Sequence, residues 1–212
     1  MKKIILAILT IISLQSFSQS DAKAKAVLDK VSEKTRNYPS ITASFDFTMQ
    51  NNAAGLNETT GGNLILQKDK YKLTMRGVEI FCDGKTQWTY MREAQEVSIN
   101  NAGSESGELL NPATVFTIYE KGFKNTYLGE FTNSGKKTCK IELLPHTVKE
   151  FSCLILEIDL SNYQIMNAKM YGTDDNEYTI KIKSMTTTTN YEPSTFIFDT
   201  KKNSNIEVID MR

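Results

Sequence analysis

Between residues 41 and 50 the chain alternates without a slip: Ile41, Ala43, Phe45, Phe47 and Met49 interleave with Thr42, Ser44, Asp46, Thr48 and Gln50. Only a strand puts every second side chain on one side, so this stretch is a half-buried strand with an oily face. Such a face has to be covered, and a lone strand cannot do it. The chain must therefore build a sheet with something packed on one side.

The rest of the sequence supplies the sheet. Strand patterns recur at 62–67, 71–76, 78–82, 87–92 and 97–99, then at 123–131, 136–144, 153–160, 164–171 and 177–189. A last strand is expected near 195–198 and a tail at 206–209. Asp83-Gly84 between two such runs is a hairpin signal. Thr186 to Thr189 looks like low complexity, yet threonine suits strands and the run reads as sheet. The short turns between neighbours imply antiparallel pairing. The expected fold is mainly β, one domain over 19–212, with ten or eleven antiparallel strands in succession. A sheet that long curls or closes.

Two helices accompany it. Ala24, Val27, Leu28 and Val31 share one helical face, with Ser20 or Asp21 as the expected cap and Asn37-Tyr38-Pro39 as the stop. A second, shorter helix is expected from Asn111-Pro112, with Val115, Phe116 and Tyr119 on one side and Gly122 ending it. Both helices can plug the open mouth of a curled sheet. Ahead of them, Met1-Lys2-Lys3, an apolar run from Ile4 to Ile12 and Ser16-Phe17-Ser18 form an export signal over 1–18, cut near Ser18-Gln19. The apolar run is shorter than the roughly 20 residues of a membrane span. No cysteine stands near the cut to carry a lipid.

Chemistry is sparse. Twenty-five basic and twenty-five acidic residues cancel, which argues against nucleic acid as a partner. His146 is the one histidine, beside Pro145 in a loop, with no serine elbow or cysteine partner. Asp174-Asp175 reads as a turn, and Gly61-Gly62 opens a strand rather than cradling phosphate. Cys82, Cys139 and Cys153 form no metal pattern. One pair of them could oxidise, but buried free thiols are the favoured reading. No catalytic residue, metal or cofactor is expected. Large, pliable side chains on strands, including Trp88, Tyr90, Met166, Met170, Phe196 and Phe198, suit either a packed core or the lining of a ligand cavity.

The order of these signals resembles a known family. "ITASFDFTMQ", "GGNLILQKDKYKLTM", "VEIFCDGKTQWTYMREAQEVSI", "NPATVFTIY", "CKIELLP", "LILEIDLSNYQIMNAKMYGTDDNEYTIKI" and "FIFDTKKNSNIEVID" follow the pattern of the periplasmic outer-membrane lipoprotein carriers, the LolA-like proteins, over 22–212. The most specific piece is Asp83 to Tyr90. The resemblance implies a strongly curved, half-open antiparallel barrel whose helices lid a hydrophobic cavity. It implies a monomeric periplasmic carrier that takes acylated lipoproteins from an inner-membrane transporter to an outer-membrane acceptor without covalent chemistry. On that reading Ile41, Ala43, Phe45, Phe47, Met49, Leu64, Leu66, Leu73, Met75, Trp88 and Tyr90 line the cavity. Val115, Phe116 and Tyr119, with Val27, Leu28 and Val31, form the lid. Family carriers often close the lid through an arginine followed by proline after the second strand; here Gln67-Lys68-Asp69 stands in that place, leaving Lys68 as the substitute contact. Two other readings are a lipid-binding or envelope-stress sensing module of the same fold, and a secreted lipid hydrolase. The export reading has a direct check: the intact mass of the secreted protein is expected to match a chain starting at Gln19, and a mass retaining Met1 would refute it.

Overall fold

The computed structural model describes residues 2–103, 114–120, 122–133, 135–147, 150–202 and 205–212, with side chains from Ser20 onward. Helix α1 (Lys2–Asn37) leads into β1 (Ile41–Asn51), β2 (Leu56–Gln67), β3 (Lys70–Met75), β4 (Val78–Cys82), β5 (Thr86–Met91) and β6 (Glu96–Asn101). After two short 3-10 turns come β7 (Phe123–Asn133), β8 (Lys136–Pro145), β9 (Phe151–Asp159), β10 (Gln164–Gly172), β11 (Glu177–Thr186) and β12 (Glu207–Asp210). All twelve strands belong to one sheet in the order β12-β6-β5-β4-β3-β2-β1-β11-β10-β9-β8-β7. The sheet is curved and open, with β12 and β7 as its free edges.

That order follows from the chain. Tight turns pair β1 through β6 as successive antiparallel neighbours, and β7 through β11 likewise. The two runs meet where β1 pairs antiparallel with β11. Register slips at Ser44/Phe45, Tyr127/Gly129 and Ile165/Asn167 are bulges that increase bending. At the β4–β5 hairpin the two turn residues are Gly84 and Lys85, one position later than expected. Asp83 flanks them, and its Oδ1 accepts the N–H groups of Lys85 and Thr86 at 2.9 and 2.8 Å. Gly84 takes φ of 90° there, a conformation that favours glycine.

Four local expectations change. The helix does not begin at Ser20 or Asp21: it is continuous from Lys2. Ser20 is needed elsewhere, because its hydroxyl donates to Tyr127 O and accepts from Tyr127 N–H, both at 3.1 Å. The second helix is two 3-10 turns, Thr114–Phe116 and Ile118–Glu120, and Asn111-Pro112 lies outside the described residues. The expected strand at 195–198 is a 3-10 turn, Pro193–Phe196, and residues 187–189 have already left the sheet. Finally, the tail is a true strand, β12, which pairs parallel with β6 and brings the total to twelve.

The last two changes have one cause. Beyond β11 the chain crosses the sheet's outer face as a strap. Ser40 Oγ donates to Thr189 O at 2.5 Å, Tyr191 meets Thr42 at 2.7 Å, and Phe198 packs on Phe81 and Tyr90. Only after passing β1 to β5 does it reach β6, arriving in the parallel sense.

The main core lies on the other, inner face. Buried α1 residues Ala24, Val27, Leu28 and Val31 join Ile141, Leu143, Leu154, Leu156 and Ile158 of the β8–β9 wall. No disulfide forms: Cys82 and Cys139 are buried free thiols, and Cys153 is a half-buried one. Burial pushes the Cys139 and Cys153 thiols up to about 11, so both stay protonated at neutral pH.

Phe45 is accommodated in this core by the residue opposite it. A Cβ on Gly62 would stand 2.8 Å from Phe45 Cε2 and closer still to Cζ, and Phe45 is only 1% exposed, so its ring has nowhere to move. Gly62→Ala is therefore expected to lower stability by about 1–3 kcal/mol, measured as a drop in the denaturation midpoint. An unchanged midpoint would show that the ring is not confined.

Candidate functional site

Strand register assigns each expected site residue to a face, because paired residues in a sheet point the same way. Ile41, Leu66 and Tyr71 line up across β1, β2 and β3, and so do Ala43, Leu64 and Leu73. Phe45 stands opposite Gly62, which is followed by Met75. Ile41, Ala43, Phe45, Leu64 and Leu73 are buried, while Phe47, Leu66 and Met75 are half-buried against the same core. Met49 is on this face too, half-exposed at the rim, paired with Tyr178. Nine expected residues thus form one continuous inner wall. The expected α1 residues Val27, Leu28 and Val31 face the same core from above.

Trp88 and Tyr90 do not belong to that wall. Trp88 pairs with Phe81 and Ile99, and Tyr90 with Glu79 and Val97, all on the outer face. There they pack with Phe81, Val97, Phe198 and Ile206 in a separate cluster under the strap. The correction is purely geometric: an odd offset along β4 and β5 sends these aromatics to the opposite side.

The wall continues where no site residue was expected. Phe47 leads through Ile180 and Ala168 to Leu156, and Met49 leads through Tyr178 and Met170 to Leu154. The same period-two pattern in 178–182 and 154–156 carries this information. What it lacks is the β1–β11 pairing, a contact between distant parts of the chain.

Over the wall lies the segment 114–120. Its two turns are held internally by Thr117 N–H to Thr114 O at 3.0 Å and Glu120 N–H to Thr117 O at 3.1 Å, and it adds no strand to the sheet. Val115, Phe116 and Tyr119 are buried, at 3%, 2% and 4% exposure. They belong to the main core cluster on the inner face, together with the α1 residues. Between the segment and Phe47, Leu154, Met170 and Ile180 remains an apolar crevice of about 10 Å³, one water's worth of space. A second groove of about 270 Å³ runs past Thr117 along Tyr38, Ile41, Leu66 and Lys68. Burial pushes the Tyr119 hydroxyl up to about 12; Thr35 opposes this although its hydroxyl falls outside hydrogen-bonding geometry.

One carboxylate ties the lid to the helix. Glu120 Oε1 accepts Ser32 Oγ at 2.5 Å, Arg36 Nη2 at 3.0 Å and Arg36 Nε at 3.2 Å. Lys68 makes no corresponding contact among the described residues. It occupies the tight β2–β3 turn with φ of 59° and only borders the groove. The polar contact between segment 114–120 and α1 is thus Glu120 with Ser32 and Arg36, and Lys68 takes no part in it. His146 is exposed, its backbone N–H spent on Gly122 O.

Comparison with known proteins agrees with this architecture. The family model described as outer membrane lipoprotein carrier protein LolA matches residues 14–174. The uncharacterized protein MJ0687 of Methanocaldococcus jannaschii is 27% identical over 153 residues, covering 70% of this chain. The chain spans 44% of that relative's length. Among solved structures, an uncharacterized conserved protein of Thermus thermophilus is 12% identical with a TM-score of 0.57, over 89% of this chain and 99% of that one. This likeness concerns the fold. A putative outer membrane lipoprotein-sorting protein domain of Vibrio parahaemolyticus is 12% identical with a TM-score of 0.49, over 83% and 97%. With the family model matching most of its length, the chain belongs to the outer membrane lipoprotein carrier protein LolA family.

Proposed function

We propose that the protein shelters the acyl chains of lipoproteins against its inner wall and carries them across the periplasm, from an inner-membrane transporter to an outer-membrane acceptor. The observation that carries this reading is the lid. A continuous apolar wall is covered by a short segment that pairs with no strand, whose buried Val115 and Phe116 sit where a ligand's tails would lie.

The energetics suit a carrier. Burying a valine or phenylalanine gains about 1.5–3 kcal/mol, so expelling Val115 and Phe116 costs about 3–6 kcal/mol. At about 0.8 kcal/mol per methylene, some four to eight buried methylenes offset that cost. Long acyl chains exceed the threshold and short ones do not. Release is helped by the same arithmetic, because the lid's side chains reoccupy the wall as the tails leave. A site that bound tails far better than a bilayer would never give them up.

Two outcomes are expected. In displacement of a fluorescent fatty acid, a dipalmitoylated lipopeptide should compete and its diacetylated analogue, which has no methylene to bury, should not; equal competition would contradict the lid threshold. Phe47→Glu and Leu66→Glu, which place a charge on the wall, should weaken palmitoyl binding at least about tenfold. Unchanged binding would mean that these faces do not hold the tails. The shuttle itself is tested by transfer of a labelled lipoprotein from inner-membrane vesicles to outer-membrane acceptor, which the wild type should perform. Acyl binding without transfer would leave a lipid-binding or sensing module of the same fold.

A further inference from the structure

A third hollow, a polar one, lies beside the lid. It measures about 390 Å³ and is bounded by α1 at Asp21 and Lys25, by Tyr119 and Glu120 of the lid, and by Lys124 and Asn125 of β7. That volume falls within the roughly 300–1,000 Å³ of small-ligand sites. Two buried polar atoms on its lining residues, the Tyr119 hydroxyl and Asn125 Oδ1, have no hydrogen-bond partner among the described residues. Buried polar groups are nearly always paired, so two orphans in adjoining residues of one hollow call for an explanation.

The backbone adds to them. β7 ends the sheet, so every second residue turns its N–H and C=O away from β8. Tyr127 is one of these, since α1's Ser20 takes both of its groups. Gly122 has the opposite parity: its C=O accepts the N–H of His146, just beyond β8. Pairing is unbroken from Phe123 to Tyr127. Asn125 therefore presents its N–H and C=O on the same open edge as Tyr127, but among the described side chains none of α1 plays Ser20's part for it. Asn125 offers a backbone donor and a backbone acceptor at this edge, and its Oδ1 and the Tyr119 hydroxyl are buried unpaired behind them.

Extended polypeptide matches that set, because its main chain alternates donors and acceptors and can add to a free sheet edge. An anionic headgroup matches less well. Arg36 is already neutralised by Glu120 at 3.0 Å and Lys25 by Asp29 at 2.7 Å, and the remaining cation of the lining, Lys124, is matched in number by Asp21, so the hollow carries no net charge. We propose that this groove binds extended main chain, namely the peptide that adjoins the acylated end of the cargo. This rests on the acyl-carrier reading. Tyr119 belongs both to the lid's buried cluster and to the groove's lining, so tails under the lid and peptide in the groove meet at one residue.

The test compares a dipalmitoylated cysteinyl hexapeptide without charged side chains against dipalmitoylglycerol, each displacing a fluorescent fatty acid. The wild type should prefer the lipopeptide by about tenfold. Asn125→Leu should bring that ratio to about one while leaving dipalmitoylglycerol affinity unchanged. Its melting temperature should not fall, since an unpartnered buried carbonyl is removed. Equal affinity for the two ligands in the wild type, or full preference retained in Asn125→Leu, overturns the peptide groove and leaves the acyl reading standing. If neither ligand displaces the probe, the acyl reading falls and takes the groove with it.

Discussion

An apolar wall on one face of a sheet cannot be left to water, and the rest of the molecule follows from how this one is covered. Helix α1 takes the β7 to β10 side, burying Ala24, Val27, Leu28 and Val31 there. The lid covers what remains with three side chains from a segment of seven described residues, 114–120. The two covers differ in kind. The helix is anchored between residues 20 and 30, by Ser20 to Tyr127, Lys23 to Glu130 and Lys30 to Tyr163. The lid's side-chain anchor is Glu120 on Ser32 and Arg36. A cover whose apolar gain is modest can be displaced by a ligand that brings more apolar surface of its own.

The sheet's two faces divide the work. The inner face carries α1, the segment 114–120 and, on the proposed reading, acyl chains. The outer face of β1 to β5 is covered by the C-terminal strap, through Tyr191 on Thr42 and Phe198 on Phe81 and Tyr90. Where the family's arginine-proline pair is missing after the second strand, the proposed reading has closure held from the helix side, by Glu120 with Arg36.

Much of this was legible in the sequence where the physics is local. Alternation in 41–49 located β1 and its inner face, and the same period gave Leu64, Leu66, Leu73 and Met75 their side. The faces of Trp88 and Tyr90 were not legible. Both sides of β4 and β5 carry apolar residues, so periodicity cannot say which one meets the main core. That is decided by the strap, whose path depends on pairing between β12 and β6, some hundred residues apart in the chain. The lid was recognised by its apolar spacing, but a segment this short makes 3-10 turns as readily as α-helix. Ser20 was read as a cap because serine favours that position; the unpaired edge of β7 claims it instead.

The central claim is that tails lie on the inner wall in the space the lid's side chains now fill. Photo-crosslinking with a palmitoyl chain bearing a terminal diazirine tests it directly on the intact protein. Adducts are predicted on wall residues such as Phe45, Leu64, Leu73 and Met170, with none on the Phe81, Trp88 and Phe198 cluster. Adducts confined to the outer cluster, or saturable binding that leaves the inner wall unmodified, would contradict the account.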